Sequence, residues 1–268
     1  MTTDALRNLL LTARQQAGLA KALYGGRGAV QDYAVEQRAR YRYFEIANNR
    51  AAALVFADHC HISVCGSNDA TDWLQNAKTG RGSIGSLVAH RGYIEAADWI
   101  RREMFRSDLM TIIEGHDLPI VLGGHSAGGA IAQLLSVEPR LVPREVITFG
   151  SPKVWERGSA ATYYAYPWEV YRFVNEGDIV PYLPFSAGAY LLGRPLYTQA
   201  TSAIRLSRDG KLSVDELGVF RRAIAGLKQF SHLGSAALTW FVGRRVSDSH
   251  SIDRYCESIR AGLENVSN

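Results

Sequence analysis

The sequence predicts an α/β protein with a mostly parallel central sheet flanked by helices. Short apolar runs of strand length alternate along the chain with longer segments whose apolar residues recur at helical spacing. One of these runs, "PIVLGG" at 119–124, passes through a glycine-rich turn directly into a helix of small residues. Because parallel strands need crossover connections that are usually helical, this alternation favours a parallel sheet covered by helices.

The composition is that of a globular protein with a substantial core. The 268 residues are 47% hydrophobic and carry a net charge of +4, which is ordinary for a globular chain. No run approaches the roughly 20 apolar residues that span a membrane. Basic residues do not cluster with aromatic ones as they do in nucleic-acid-binding proteins. We therefore expect one domain over residues 1–268, with no transmembrane segment and no nucleic-acid partner.

Two helices are predicted at the start of the chain, over Asp4–Leu23 and Val30–Ala47. The first contains an early acidic residue and an apolar core of only Leu9–Leu11, which is too short for a secretory signal peptide. The sequence therefore predicts a cytoplasmic protein, export by a non-classical route, or a secreted chain given in its mature form.

The next segment, "RAAALVFADHCHISVCG", predicts a pair of short strands, because a polar turn separates two apolar runs. Cys60 and Cys65 lie in this segment, and Cys256 lies far away along the chain. Their spacing is not that of metal ligands. We expect free thiols, with a disulfide between Cys60 and Cys65 as the open alternative.

A polar, glycine-rich segment follows this strand pair. Gly80–Gly85 matches the G-x-G-x-x-G pattern of dinucleotide-binding turns, but no strand precedes it and no helix clearly begins on it. We interpret the segment instead as a short lid-like flap, in which glycines permit hinge motion, with a plain solvated loop as the open alternative. Its apolar underside would consist of Trp73, Leu74, Ile84 and Leu87.

Helices and strands then alternate to the end of the chain. Strands are predicted in "PIVLGG", "REVITFGSP" and "EVYRFVNEGD". A turn at Asp209-Gly210 is followed by Ser213–Glu216, a capping-box pattern that predicts the start of a helix towards Phe230. Other helices are predicted over these segments: Tyr93–Glu114, Ala130–Val137, Leu233–Phe241 and Ser251–Leu263.

The pentapeptide Gly124-His125-Ser126-Ala127-Gly128 is a G-x-S-x-G motif between a predicted strand and a predicted helix. A serine on such a turn has a strained backbone that exposes its hydroxyl, and only small residues such as glycine fit two positions to either side. The N-terminus of the following helix directs amide N–H groups towards a developing oxyanion. Ser126 is therefore the candidate nucleophile.

A serine hydroxyl needs a base to accept its proton and an acid to orient that base. Only two histidines follow the serine, His232 and His250, and His250 is the candidate base because it lies in a loop or at a helix start. Asp178 is the candidate acid because it comes shortly after a predicted strand. Glu176 and Asp58 remain as weaker alternatives for the acid.

Four further motifs resemble those of the class 3 lipases, which are fungal-lipase-like α/β-hydrolases. They occur in the family's order along the chain: "CGSNDATDWL", "AHRGY", "RFVNEGDIVPYLP" and "HSIDRY". The resemblance spans roughly residues 20–265 and implies the α/β-hydrolase fold. One departure is Cys65, which stands where the family usually has an arginine that supports the local structure.

The resemblance also implies roles for individual residues. It assigns Ser126 as the nucleophile, Asp178 as the orienting acid and His250 as the base. It also assigns Ser67 and the Ala127 N–H group to the oxyanion hole. For Ser67, a simple serine turn is the competing interpretation. No metal or organic cofactor is implied.

These assignments predict a serine carboxylester hydrolase, a triacylglycerol lipase or esterase that acts through an acyl-enzyme intermediate. Its partners would be a lipid or ester substrate and, transiently, a lipid surface. The sequence specifies no oligomeric state. Three alternatives remain open on the same fold: a feruloyl esterase, a phospholipase and a non-catalytic binding module.

Overall fold

An eight-stranded sheet forms the centre of the protein. A computed structural model describes residues 1–46, 49–66, 80–183, 197–215 and 248–267. In spatial order the strands of this sheet are β1 Arg40–Ile46, β2 Asn49–Val55, β3 Cys60–Val64, β6 Ile120–His125, β7 Glu145–Phe149, β9 Glu169–Asn175, β11 Ala203–Leu206 and β12 Leu212–Asp215.

The inner strands of this sheet, from β3 to β11, pair in parallel. At the two margins, β2 pairs antiparallel with β1 and β3, and β12 pairs antiparallel with β11. A second, four-stranded sheet lies beside the first and contains β10 Tyr197–Thr198, β8 Trp155–Glu156, β5 Leu87–His90 and β4 Arg81–Ile84. The predicted mostly parallel central sheet is confirmed.

Helices cover both faces of the large sheet. They are α1 Thr3–Tyr24, α2 Gly26–Glu36, α3 Arg91–Arg106, α4 Leu109–Gly115, α5 Ala127–Leu135, α6 Arg157–Tyr164 and α7 Ile252–Ser267. Successive residues of β6 show the division, because side chains of a strand point alternately to the two faces. Val121 packs in one core with α1 and α7, whereas Leu122 packs in another with α3, α4 and α5.

Three predicted helices differ from the structure. The helix predicted over Val30–Ala47 ends at Glu36, because Arg38 adopts a left-handed backbone with φ 55° and the alternating segment after it forms β1. The helix over Tyr93–Glu114 is interrupted at Ser107, whose hydroxyl accepts a hydrogen bond from the Leu109 amide.

The third difference concerns the capping-box pattern. Residues 213–215 belong to β12 and not to a helix, because the turn at Gly210, with φ 76°, folds the chain back antiparallel onto β11. The rest of this predicted helix and the one over Leu233–Phe241 lie outside the described residues. The predicted helix over Ser251–Leu263 corresponds to α7.

The segment interpreted as a flap is described only in part. Its glycine-rich stretch forms the β4–β5 hairpin, and Leu87 is buried in the core. Trp73 and Leu74 lie outside the described residues. The thiols of Cys60, Cys65 and Cys256 are all free, so the alternative of a disulfide is wrong.

Candidate active site

The inner strands of the large sheet end at one common edge, and the candidate site residues follow these ends. Gly66 comes after β3, Ser126 directly follows β6, Gly150 directly follows β7 and Asp178 lies shortly after β9. Ligands of open α/β sheets bind beyond the carboxyl ends of the strands. This edge is therefore where a functional site is expected.

Ser126 occupies a sharp turn between β6 and α5. Its backbone has φ 56° and ψ −131°, a strained conformation for a residue with a side chain. The Ser126 amide donates to the Phe149 carbonyl oxygen at 2.9 Å, which fixes the turn to β7. A Cβ at Gly124 would lie 2.6 Å from the Gly128 oxygen, and one at Gly128 would overlap the Val64 carbonyl. The two motif glycines are thus a steric requirement of the turn.

Ser126, His250 and Asp178 form one hydrogen-bonded line. The Nε2 atom of His250 lies 2.8 Å from the Ser126 Oγ, and its Nδ1 atom lies 2.9 Å from the Asp178 Oδ2. A carboxylate only accepts, so Nδ1 carries the hydrogen and Nε2 is free to accept the serine proton. All three side chains are buried. This is the arrangement that a nucleophile, a base and an orienting acid require.

Asp178 is itself held by two further donors. The Val180 amide donates to its Oδ1 at 2.9 Å, and the Tyr255 hydroxyl donates to its Oδ2 at 2.6 Å. The Asn175 amide in turn donates to the Tyr255 oxygen at 3.1 Å. Burial, reinforced by the Asp178 carboxylate, raises the pKa of Tyr255 well above its ordinary value. The phenol therefore stays protonated and keeps donating to the acid.

Gly150 makes room for the acid and the base. It has φ 60°, and a Cβ there would lie 2.7 Å from the Asp178 Oδ2 and 2.9 Å from the His250 Cε1. Neither Gly150 nor Tyr255 was singled out from the sequence. The available signals were the glycine that ends "VITFG" after a strand, and a tyrosine one and a half helical turns beyond His250.

Of the two residues assigned to the oxyanion hole, the structure describes only Ala127. Ala127 is the first residue of α5, and the first amides of a helix have no acceptor within the helix. Ser67 lies outside the described residues. Its neighbour Gly66 runs against the nucleophile, because a Cβ at Gly66 would lie 2.9 Å from the Ser126 Cβ.

The structure does not place the alternative candidates for the acid, Asp58 and Glu176, beside Ser126 and His250. The Asp58 side chain is 84% exposed and lies between β2 and β3, at the opposite edge of the parallel strands, where it pairs with His59. Glu176 is exposed, beside the buried Asp178. His232 lies outside the described residues.

The sequence resembles known lipases. Residues 61–187 match the family described as Lipase (class 3). A secreted mono- and diacylglycerol lipase A of Penicillium cyclopium is 24% identical over 193 residues, which cover 65% of this chain and 63% of the relative. The match thus spans less than two thirds of that relative's length.

The fold of this chain resembles those of lipases of known structure. A triacylglyceride lipase of Rhizomucor miehei superposes with a TM-score of 0.70 at 17% identity, over 98% of each chain. A triacylglycerol lipase whose catalytic centre is a serine protease triad superposes with a TM-score of 0.64 at 19% identity, over 77% of this chain and 82% of the other. At these identities the likeness shows a shared α/β-hydrolase fold. Among the helices of the described residues, none combines the length and apolar character needed to cross a bilayer.

Proposed function

We propose that the chain, whose residues 61–187 match the class 3 lipase family, is a lipase of that family and a serine carboxylester hydrolase acting on acylglycerols. The observation that carries this proposal is the continuous line from the Ser126 Oγ through His250 to Asp178. The Penicillium relative is named as a mono- and diacylglycerol lipase, which supports acylglycerols as the substrate class.

The first half of the reaction acylates the serine. The Ser126 Oγ attacks the ester carbonyl carbon while His250 Nε2 accepts the hydroxyl proton. Asp178 orients the imidazole and stabilises the imidazolium that forms. The carbonyl oxygen becomes an oxyanion, which the Ala127 amide and Ser67 stabilise. His250 then donates its proton to the leaving alcohol as the C–O bond breaks.

The second half releases the acid. Water takes the place of the alcohol, and His250 accepts a proton from it as the water oxygen attacks the acyl-enzyme. The tetrahedral intermediate collapses, the carboxylic acid leaves, and the proton returns to the Ser126 oxygen. Water is the only co-reactant, and the chain's own residues perform each proton transfer.

Removal of the Ser126 hydroxyl is expected to abolish hydrolysis. The Ser126→Ala variant should lower kcat on a p-nitrophenyl ester by more than about 1,000-fold, since the nucleophile is lost. It should also no longer react with a fluorophosphonate probe. Ser136→Ala is the matched control, because Ser136 is a buried serine at the other end of α5 and bonds to Tyr163. Equal activity of Ser126→Ala and wild type would refute the proposal.

A panel of esters separates acylglycerols from the other ester classes. Faster hydrolysis of monoacyl- and diacylglycerol than of phospholipid or feruloyl esters supports the proposed substrate class. Preference for a phospholipid or a feruloyl ester would instead assign a different acyl substrate to the same triad. A folded wild-type protein that never reacts with the probe would favour a binding module.

A further inference from the structure

His125 is a second buried histidine beside the nucleophile, and the reaction above does not use it. Its ring centroid lies 4.7 Å from that of His250 and 5.7 Å from that of Tyr24. Strand alternation explains the position, because His125 lies on the same face of β6 as Val121, the face that α1 and α7 cover. The ring therefore lies between the N-terminal helix and the candidate base.

The partners of His125 fix its protonation. Its Nε2 atom lies 2.6 Å from the main-chain oxygen of His250, which only accepts, so Nε2 carries the hydrogen. Its Nδ1 atom, 2.7 Å from the Tyr24 hydroxyl, is then the acceptor, and Tyr24 donates. Burial, with a contribution from His250, lowers the pKa of His125 well below its ordinary value. The ring is thus neutral, and both of its nitrogens have partners.

Tyr24 extends this connection to a third segment. Burial raises the pKa of the Tyr24 phenol, so its hydroxyl stays protonated and keeps donating to His125. A Cβ at Gly66 would lie 2.7 Å from the Tyr24 Oη. Gly66 directly precedes Ser67, the residue assigned to the oxyanion hole. Tyr24 therefore lies against both Gly66, shortly after β3, and His125, which precedes the nucleophile.

We propose that Tyr24 and His125 are positioning residues that set the alignment of the base and the nucleophile. The side chain of His250 is fixed by Asp178, and its main chain is fixed by His125. Because His125 is covalently joined to Ser126, the same residue ties the backbone of the base to that of the nucleophile. The hydroxyl of Tyr24, the last residue of α1, keeps the His125 ring in the tautomer that donates to His250.

This proposal rests on the proposed ester hydrolysis, and removal of single groups tests it. Tyr24→Phe deletes one hydroxyl and should lower kcat roughly tenfold with little change in KM, since small misplacements of reacting groups cost rate. His125→Leu removes both ring contacts and should lower kcat by roughly 100-fold. His125→Gln keeps an N–H donor near the position of Nε2 and should recover part of the loss.

Tyr33→Phe is the matched control. Tyr33 lies in α2 and packs on α1, its phenol is also largely buried, and its hydroxyl donates to the Gln15 carbonyl oxygen away from the site. Loss of this hydroxyl should leave kcat unchanged. All rates are divided by the concentration of sites that react with the fluorophosphonate probe, and circular dichroism checks the fold. A loss of stability alone would then not register as a loss of kcat.

The outcomes separate the two proposals. A reactive wild type with a loss in Tyr24→Phe, none in Tyr33→Phe and partial rescue in His125→Gln supports the positioning role. A reactive wild type with equal kcat in Tyr24→Phe and Tyr33→Phe overturns the positioning role and leaves the proposed function standing. A folded wild type that neither reacts with the probe nor hydrolyses any ester overturns both.

Discussion

His61, in the strand next to the nucleophile strand, is held by a single amide side chain. Its Nδ1 atom lies 2.9 Å from the Gln16 Oε1, and the Gln16 Nε2 donates to the Ile62 carbonyl oxygen at the same distance. The Gln16 oxygen therefore accepts, and His61 Nδ1 carries the hydrogen. Burial lowers the pKa of His61 to about 3. The neutral form of this histidine is thus part of the folded structure.

The stability of the protein should depend on His61 below neutral pH. Between pH 6.5 and about 3 the unfolded chain binds a proton at His61 that the folded chain does not, so stability is lost as the pH falls through this window and is fully present above it. The loss is about 1.4 kcal/mol per pH unit. His61→Asn keeps an N–H donor near Gln16 and does not titrate.

Urea unfolding of wild type and His61→Asn at several pH values measures the contribution of His61 to the free energy of unfolding. We expect the free energy of unfolding of wild type to fall relative to that of His61→Asn by about 2 kcal/mol between pH 6.5 and pH 5. The difference between the two proteins should not change above pH 7.5. A constant difference at all pH values would show that His61 does not titrate on unfolding.

At the residue scale, the sequence predicted the three residues that the structure brings into one hydrogen-bonded line, and their catalytic roles stay a proposal. Ser126 was identifiable from its glycines, and Asp178 and His250 from their order behind it. Tyr255 and Gly150 were not identifiable, because they act through contacts between β7, β9 and α7 that only the folded chain brings together. The role of Ser67 stays a prediction.

At the element scale, α5 packs directly on the backbone of the sheet. Gly123 and Gly129, which flank the G-x-S-x-G motif, are both close-packed. A Cβ at Gly123 would overlap the Ile147 carbonyl, and one at Gly129 would lie 2.8 Å from the Ser151 Cβ. Gly129 thus lets α5 approach the sheet, whereas Gly123 makes room on the other face for α1, where its Cβ would lie 2.8 Å from the Gln16 Nε2.

Two identical substitutions in helices should have opposite effects. Gly128→Ala in α5 places a methyl group against the Val64 carbonyl, and we expect it to destabilise the protein by about 3 kcal/mol or more. Gly28→Ala in α2 meets nothing within 4 Å and should stabilise by about 0.5–1 kcal/mol. Thermal unfolding of both variants checks the signs. A stabilising Gly128→Ala would contradict the packing of α5.

Helices and strands were predicted accurately where a long periodic pattern specifies them, and wrongly where contacts with another strand decide between helix and strand. Long periodic segments such as α1 were predicted within a residue or two, because their apolar stripe is set by burial against the sheet. The segment after Arg38 was wrongly predicted, since its apolar and aromatic residues fit either a helix or a strand. Pairing of β1 with β2, the next strand along the chain, and of β2 with β3 decides it.

At the scale of the whole molecule, one sheet joins the two main cores. Leu10 of α1 and Ile100 of α3 are both fully buried, on opposite faces of the sheet. If residues 1–268 fold as one domain, a cavity on either face should destabilise the same cooperative unit. That organisation stays a prediction until unfolding is measured.

Leu10→Ala and Ile100→Ala test this cooperativity. Each should lower the free energy of unfolding by about 2–5 kcal/mol through lost burial and the cavity left behind. The midpoints by circular dichroism and by tryptophan fluorescence should shift together and remain coincident. Two separated transitions, only one of which moves in each variant, would show that the faces unfold independently.

The contacts of Tyr24, His125 and His250 have a consequence for the order of events in folding. They join the end of α1 to His250, which lies shortly before α7, so the base reaches its place only after segments near the two ends of the described chain have met. Closing distant segments is slow compared with forming helices. A refolding chain should therefore regain its helical circular dichroism signal first and its reactivity towards a fluorophosphonate afterwards. The time course of covalent labelling thus measures when the two ends of the described chain come together.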